Sequence, residues 1–142
     1  MARTDDVINV AGHRLSTGQL EEVLADHPDI AECAVIGVAD QLKGQLPLGL
    51  ICLYPNCNRL QGDIMAEAIA LVKDRVGRVS SFNLIVVIER LPKTRSGKVL
   101  RGTMAKIADG ENWNMPATID DPVILDEIKT ALQSIGYAGG KS

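Results

Sequence analysis

Aromatic side chains are nearly absent from this sequence: one Phe, one Trp and two Tyr make up 3% of 142 residues. A chain with so few rings has no row of stacking platforms for exposed bases, which argues against single-stranded nucleic-acid binding. Its core has to come from Val, Ile, Leu, Ala and Met. Cysteine is also scarce, and the three present (Cys33, Cys52, Cys57) are an odd number. Cys33 and Cys52 fall in strongly apolar runs, where a thiol acts as a small hydrophobe, so a reducing compartment fits better than a disulfide framework. Cys52 and Cys57 with His13 and His27 lack finger-like spacing, and no metal site is expected. No apolar stretch approaches the length needed to cross a bilayer, and the opening Met1–Asp6 is too polar for a signal peptide. The expectation is a protein of the bacterial cytoplasm, or of the mitochondrial matrix in a eukaryote, with no membrane partner.

What is present is a 46% hydrophobic composition, enough for one domain with a core that needs no staples. The net charge of −3 offers no global attraction for nucleic acid. The cations are nevertheless clustered: Lys73, Arg75 and Arg78 in one group, Arg90, Lys93, Arg95, Lys98 and Arg101 in another. A solvated face is the plain reading of such runs; an anion site is the sharper one.

Asp5–Leu15 alternates around Ala11-Gly12, predicting a small hairpin with a tight glycine turn. Ser16 and Gln19 form a capping box ahead of a helix near 17–27, with Leu20, Val23, Leu24 and His27 on one stripe until Pro28. Apolar runs at 31–38 and 46–54 predict buried strands, 63–76 a long helix closed at Gly77, and 83–88 a third strand. Short helices follow, one through Leu100, Thr103, Met104 and Ile107, and one from Asp121-Pro122 to Leu132, with an irregular 109–120 between them. The order predicts a small α+β domain: a β-hairpin and a central sheet of about three strands packed by helices.

The loop Leu91-Pro92-Lys93-Thr94-Arg95-Ser96-Gly97-Lys98 joins cations, hydroxyls and a glycine just before a helix start near Val99. Helix N-termini carry partial positive charge, and Lys98 adds a mobile full one, so the loop suits a phosphate or carboxylate. It is not a P-loop, because Pro92 and Val99 stand where that motif needs glycine and a hydroxyl. An exposed lysine on a surface turn is the bland alternative.

A second segment weighs against that alternative. Asp5-Asp6-Val7-Ile8-Asn9-Val10-Ala11-Gly12-His13-Arg14 and Pro92-Lys93-Thr94-Arg95-Ser96-Gly97-Lys98 together resemble the C-terminal domain of the adenylate-forming superfamily. That superfamily includes acyl-CoA synthetases, luciferases and peptide-synthetase adenylation domains. The wording of both segments is that of acetyl- and propionyl-CoA synthetases, and the downstream Ala-Asp-Gly-Glu-Asn-Trp and Thr-Ile-Asp-Asp-Pro resemble the propionyl branch more.

The resemblance implies a 1–142 C-terminal mobile domain with a hinge at 3–6, a catalytic-lysine loop at 91–98 and a helical tail at 99–135. The large N-terminal domain is expected to lie outside this chain, which alone is expected to be inactive. The family joins ATP and a carboxylate into an acyl-adenylate, then passes the acyl group to coenzyme A; Mg2+ is expected with ATP. Lys98 corresponds to the catalytic lysine and Asp5 to the hinge. Arg3 and Arg14 correspond to arginines near the nucleotide, and Gly12 to the glycine beside the pantetheine tunnel. Lys73 stands where related enzymes place an arginine for the coenzyme A 3′-phosphate, so Arg75 or Arg78 could share that task. The implied partners are the small-molecule substrates, the protein's own N-terminal domain, and a lysine acetyltransferase and deacetylase acting on Lys98. His13 is assigned no catalysis, while Thr94 and Ser96 are expected to shape the lysine loop. Two other readings stay open: a non-catalytic binding domain of the same fold for coenzyme A, a nucleotide or a protein, and a peptide-synthetase adenylation subdomain.

Overall fold

The computed structural model describes residues 7–40, 42, 44–77 and 81–137. Strands β1 (Val7–Val10) and β2 (His13–Ser16) form the expected hairpin, and helix α1 (Thr17–Ala25) follows directly. Strands β3 (Ile30–Asp40) and β4 (Gly44–Leu53) are longer than the apolar runs alone suggested. Helix α2 (Gln61–Arg75), strand β5 (Leu84–Val87) and helices α3 (Arg101–Ala108) and α4 (Val123–Gln133) complete the order.

The two hairpin strands join the three expected core strands in one sheet, so the described sheet has five strands. Antiparallel β3 and β4 are its spine, paired from Ile30–Leu53 to Asp40–Gly44. β1 joins β4 at Val10–Gly44, and β5 runs parallel to β4 from Leu48–Leu84 to Ile51–Val87. A parallel neighbour needs a long crossover, which α2 supplies.

Pro47 lies within β4, a position proline rarely holds because it has no N–H for the ladder. Its partner across the ladder is Gly37. The Val35 N–H points away from β4, to the Glu21 carboxylate at 2.9 Å, and the strand repeat turns the Gly37 N–H the same way. Pro47 therefore faces the other flank of β4, between its pairings with β1 at Gly44 and with β5 from Leu48. No ladder bond is lost there.

Each sheet face carries its own core. α1 and α2 cover one face through Leu20, Leu24, Ile64, Ala68 and Val72, packed with Ile8, Val35, Ile51 and Ile85. α3 and α4 cover the other through Met104, Ile107, Ile124, Leu125 and Ile128, packed with Ile36, Leu48 and Leu50. The only Phe, Phe82, is fully buried, and its ring lies so close to Gly49 that an added Cβ there would sit 2.9 Å from Cζ. β3 is an edge strand; its outward Val35 and Ala39 N–H groups are taken by the carboxylates of Glu21 and Asp109, each at 2.9 Å.

Several helix boundaries shift for local reasons. α1 stops at Ala25, and His27 sits in the following turn, buried, instead of on the helix stripe. Ser16 Oγ accepts the Gln19 N–H at 3.3 Å, as a capping residue should. Gly77, at φ 104°, takes the left-handed position after α2. α4 begins after Pro122, where Asp121 accepts the Val123 N–H at 3.1 Å.

Candidate functional site

The lysine loop is a short strand-turn with a fixed backbone. Lys93 and Val99 form an antiparallel bridge, and the Thr94 N–H donates to the Lys98 carbonyl at 2.8 Å. The Leu100 N–H closes the base on the Pro92 carbonyl at 3.0 Å. Gly97 turns the chain at φ 93°, a conformation costly for other residues. Thr94 Oγ1 accepts the Lys98 N–H at 3.1 Å and meets Ser96 Oγ at 2.9 Å, so both hydroxyls shape the turn as the sequence predicted.

One expectation needs correcting. Val99 is a bridge partner of Lys93, and α3 starts only at Arg101 after Leu100. Lys98 thus sits just past the Thr94–Gly97 turn and ahead of the helix, and its charge, not the helix terminus, is what the loop offers an anion.

The cations around it divide sharply. Arg101 is locked to Glu21 by two hydrogen bonds of 2.7 and 2.6 Å, with side chains only 13% and 15% exposed. Lys93 pairs with Glu32 at 3.1 Å, and Arg90 with Asp121 at 3.0 Å and Glu127 at 3.1 Å. Lys98 and Arg95 make no ion pair with any described residue, and both are exposed. Acidic residues from α1, β3 and α4 neutralise the stem and leave charge at the tip. Sequence alone gave no sign of these partners, since Glu21 stands 80 positions from Arg101.

The glycine hairpin ends in a tight turn with Ala11 at φ 51° and Gly12 at φ 90°, the signs of a type I′ turn. Ala11, Gly12, His13 and Arg14 are all exposed, and a Cβ on Gly12 would meet nothing within 4 Å. Gly12 therefore answers to backbone conformation, and the tip presents bare main chain. The hairpin joins β4 at Gly44, whereas the lysine-loop stem is tied at Glu32, which pairs with Cys52. At ~3.3 Å per residue along β4 these attachments lie about 25 Å apart, at opposite ends of the ladder.

Of the first basic cluster, Lys73 is exposed without a described partner, while Arg75 is engaged by Asp26. Arg3, Asp5 and Arg78 lie outside the described residues. No group of three His, Cys, Asp or Glu among the described residues could hold a metal ion, and no described helix is long and apolar enough to cross a membrane. Burial pushes the Cys33 thiol up to about 12, helped by Glu21, and the Cys52 thiol to about 11, helped by Glu32; neither is a poised nucleophile.

The chain belongs to the AMP-binding enzyme C-terminal domain family, which its residues 19–98 match. It is 56% identical over 133 residues to the uncharacterised protein PA3568 of Pseudomonas aeruginosa, covering 94% of this chain and 21% of that protein. It is 42% identical over 137 residues to a propionate–CoA ligase of Escherichia coli, covering 94% and 22%. A crystal structure of an acyl-CoA synthetase from Brucella canis shares the fold with a TM-score of 0.67 at 30% identity, over 75% of this chain and 19% of that one. The chain spans about a fifth of the length of these relatives.

Proposed function

We propose that this chain is the C-terminal, mobile domain of an AMP-forming acid–CoA ligase that activates a short-chain carboxylate, propionate in preference to acetate. The observation that carries the reading is Lys98: an exposed ammonium without a described partner, on a turn whose other cations are mostly neutralised. Adenylation brings a carboxylate against the α-phosphate of ATP, two anions that repel. A lysine bridging them relieves that repulsion and stabilises charge in the transition state. ATP would bring Mg2+ on its phosphates. The similarity to a propionate–CoA ligase supports the substrate class.

Coenzyme A is the second substrate. The bare tip at Gly12 suits close approach of main chain to a pantetheine arm, and Arg14 would stand near the nucleotide in that state. Lys73 is the better candidate for the 3′-phosphate, because Asp26 already engages Arg75. Two tips on opposite ends of one ladder cannot both face one pocket, so a hinge at 3–6, pivoting on Asp5 with Arg3 beside it, would present them in turn to the N-terminal domain. Acetylation of Lys98 by a lysine acetyltransferase would erase its charge, and a deacetylase would restore it. The setting would be a bacterial cytoplasm or a mitochondrial matrix.

The test uses the full-length ligase. Lys98→Ala should slow acyl-adenylate formation by on the order of a hundredfold or more, and spare thioester formation from preformed acyl-adenylate. Wild-type adenylation in that variant would end the reading. Rates with acetate, propionate and butyrate settle the acid, and lack of any turnover with all of them favours a binding domain instead.

A further inference from the structure

The family match ends at Lys98, yet the lysine turn is held from behind by residues that come later in the chain. Thr94 and Ile119 form an antiparallel bridge. On one side of it the Arg95 N–H donates to the Thr118 carbonyl at 2.8 Å; on the other the Asp120 N–H donates to the Lys93 carbonyl at 2.9 Å. Because Lys93 also bridges Val99, the strand leading into the turn is the middle member of a three-stranded patch.

Ile119 ties that patch to the body of the domain. It is 5% exposed and belongs to the same core as Met104, Ile124 and Leu125, while its neighbours Thr118 and Asp120 are exposed. One apolar side chain thus fixes the outer strand, and the outer strand fixes the main chain of the turn. Lys98 has no described side-chain partner of its own, so where its ammonium can reach is decided by that main chain.

We propose that the Thr118–Asp120 strand, anchored by Ile119, positions Lys98 for adenylation, and that Ile119 is a positioning residue for that step. The inference rests on the role proposed above for Lys98. Misplacing a reacting group by about 1 Å can cost on the order of a hundredfold in rate, which sets the scale of the expected effect. The second half-reaction, served by the hairpin at the other end of the ladder, does not depend on this strand.

The experiment measures both half-reactions of the full-length ligase in Ile119→Ala, Ile119→Val and Lys98→Ala. Ile119→Ala should slow acyl-adenylate formation by roughly ten- to a hundredfold and leave thioester formation from preformed acyl-adenylate nearly unchanged, with Ile119→Val close to wild type. Hydrogen exchange at the Arg95 and Asp120 amides should be protected in the wild type and faster in Ile119→Ala. Asp120→Pro, which removes the donor to Lys93 at an exposed position, serves as a second variant with the same expected split. Equal losses in both half-reactions, unprotected amides in the wild type, or unchanged adenylation in Ile119→Ala would each overturn the proposal. Unchanged adenylation in Lys98→Ala would instead remove the reading on which it rests.

Discussion

The Arg101 guanidinium and the Glu21 carboxylate meet through two parallel hydrogen bonds although they stand 80 residues apart in the chain. The same carboxylate also accepts the Val35 N–H, so α1, β3 and α3 converge on one side chain. The geometry is the bidentate form that arginine makes with carboxylates, in a setting with little solvent screening.

Breaking this pair leaves one charge in a partly buried site. Glu21→Ala is expected to destabilise the chain by about 3–5 kcal/mol, a large share of a domain's stability. Glu21→Ala with Arg101→Ala should cost less than the sum of the two single substitutions. Urea unfolding of the four proteins of that cycle measures the coupling.

Gly49→Ala should destabilise by about 1–3 kcal/mol, because the new methyl meets the fully buried Phe82 ring at less than ordinary contact distance. Gly37→Ala should cost less. Its closest contact is the Gln45 amide, the end of a flexible side chain. Thermal unfolding of the two variants side by side checks the ranking.

The Glu67 carboxyl is held down to about 2, chiefly by Arg59 and then by His27. A folded value below the ordinary 4.5 means that this contribution is complete above 4.5 and is lost as pH falls towards 2. Glu67→Gln should therefore narrow its stability deficit against wild type as pH drops through that window. Denaturant midpoints taken between neutral and strongly acidic pH reveal the trend.

Cys33 and Cys52 should resist thiol reagents at pH 8 by roughly a hundred- to a thousandfold relative to the unfolded chain, since so little of either is thiolate. Their raised values favour the fold below the ordinary 9.0 and withdraw that support as pH rises past it, when only the unfolded thiols ionise. Labelling with and without urea, followed by peptide mapping, tests both residues.

Most of the architecture was legible because it is local. Periodicity gave every helix and strand; Ser16, Gly77 and the Ala11-Gly12 turn announced their own caps and bends. The tip of the lysine loop was legible for the same reason, through Thr94, Ser96 and Gly97. What escaped was long-range: that the hairpin completes the main sheet at Val10–Gly44, and that Glu21, Glu32 and Glu127 neutralise most of a basic run. No pattern along the chain encodes which distant carboxylate meets which guanidinium. The start of α3 was misjudged because Lys93–Val99 pairing took Val99 for a strand contact before helix could form.

The two carboxylates that cap the Val35 and Ala39 amides on the outer flank of β3 have a consequence for solubility. On the hinge proposed above, a domain that parted from its N-terminal partner would turn this edge to water, and an unguarded strand there would invite a second copy to zip onto it. Glu21 and Asp109 occupy two of its outward donors, at Val35 and Ala39, with acidic side chains that disfavour such pairing.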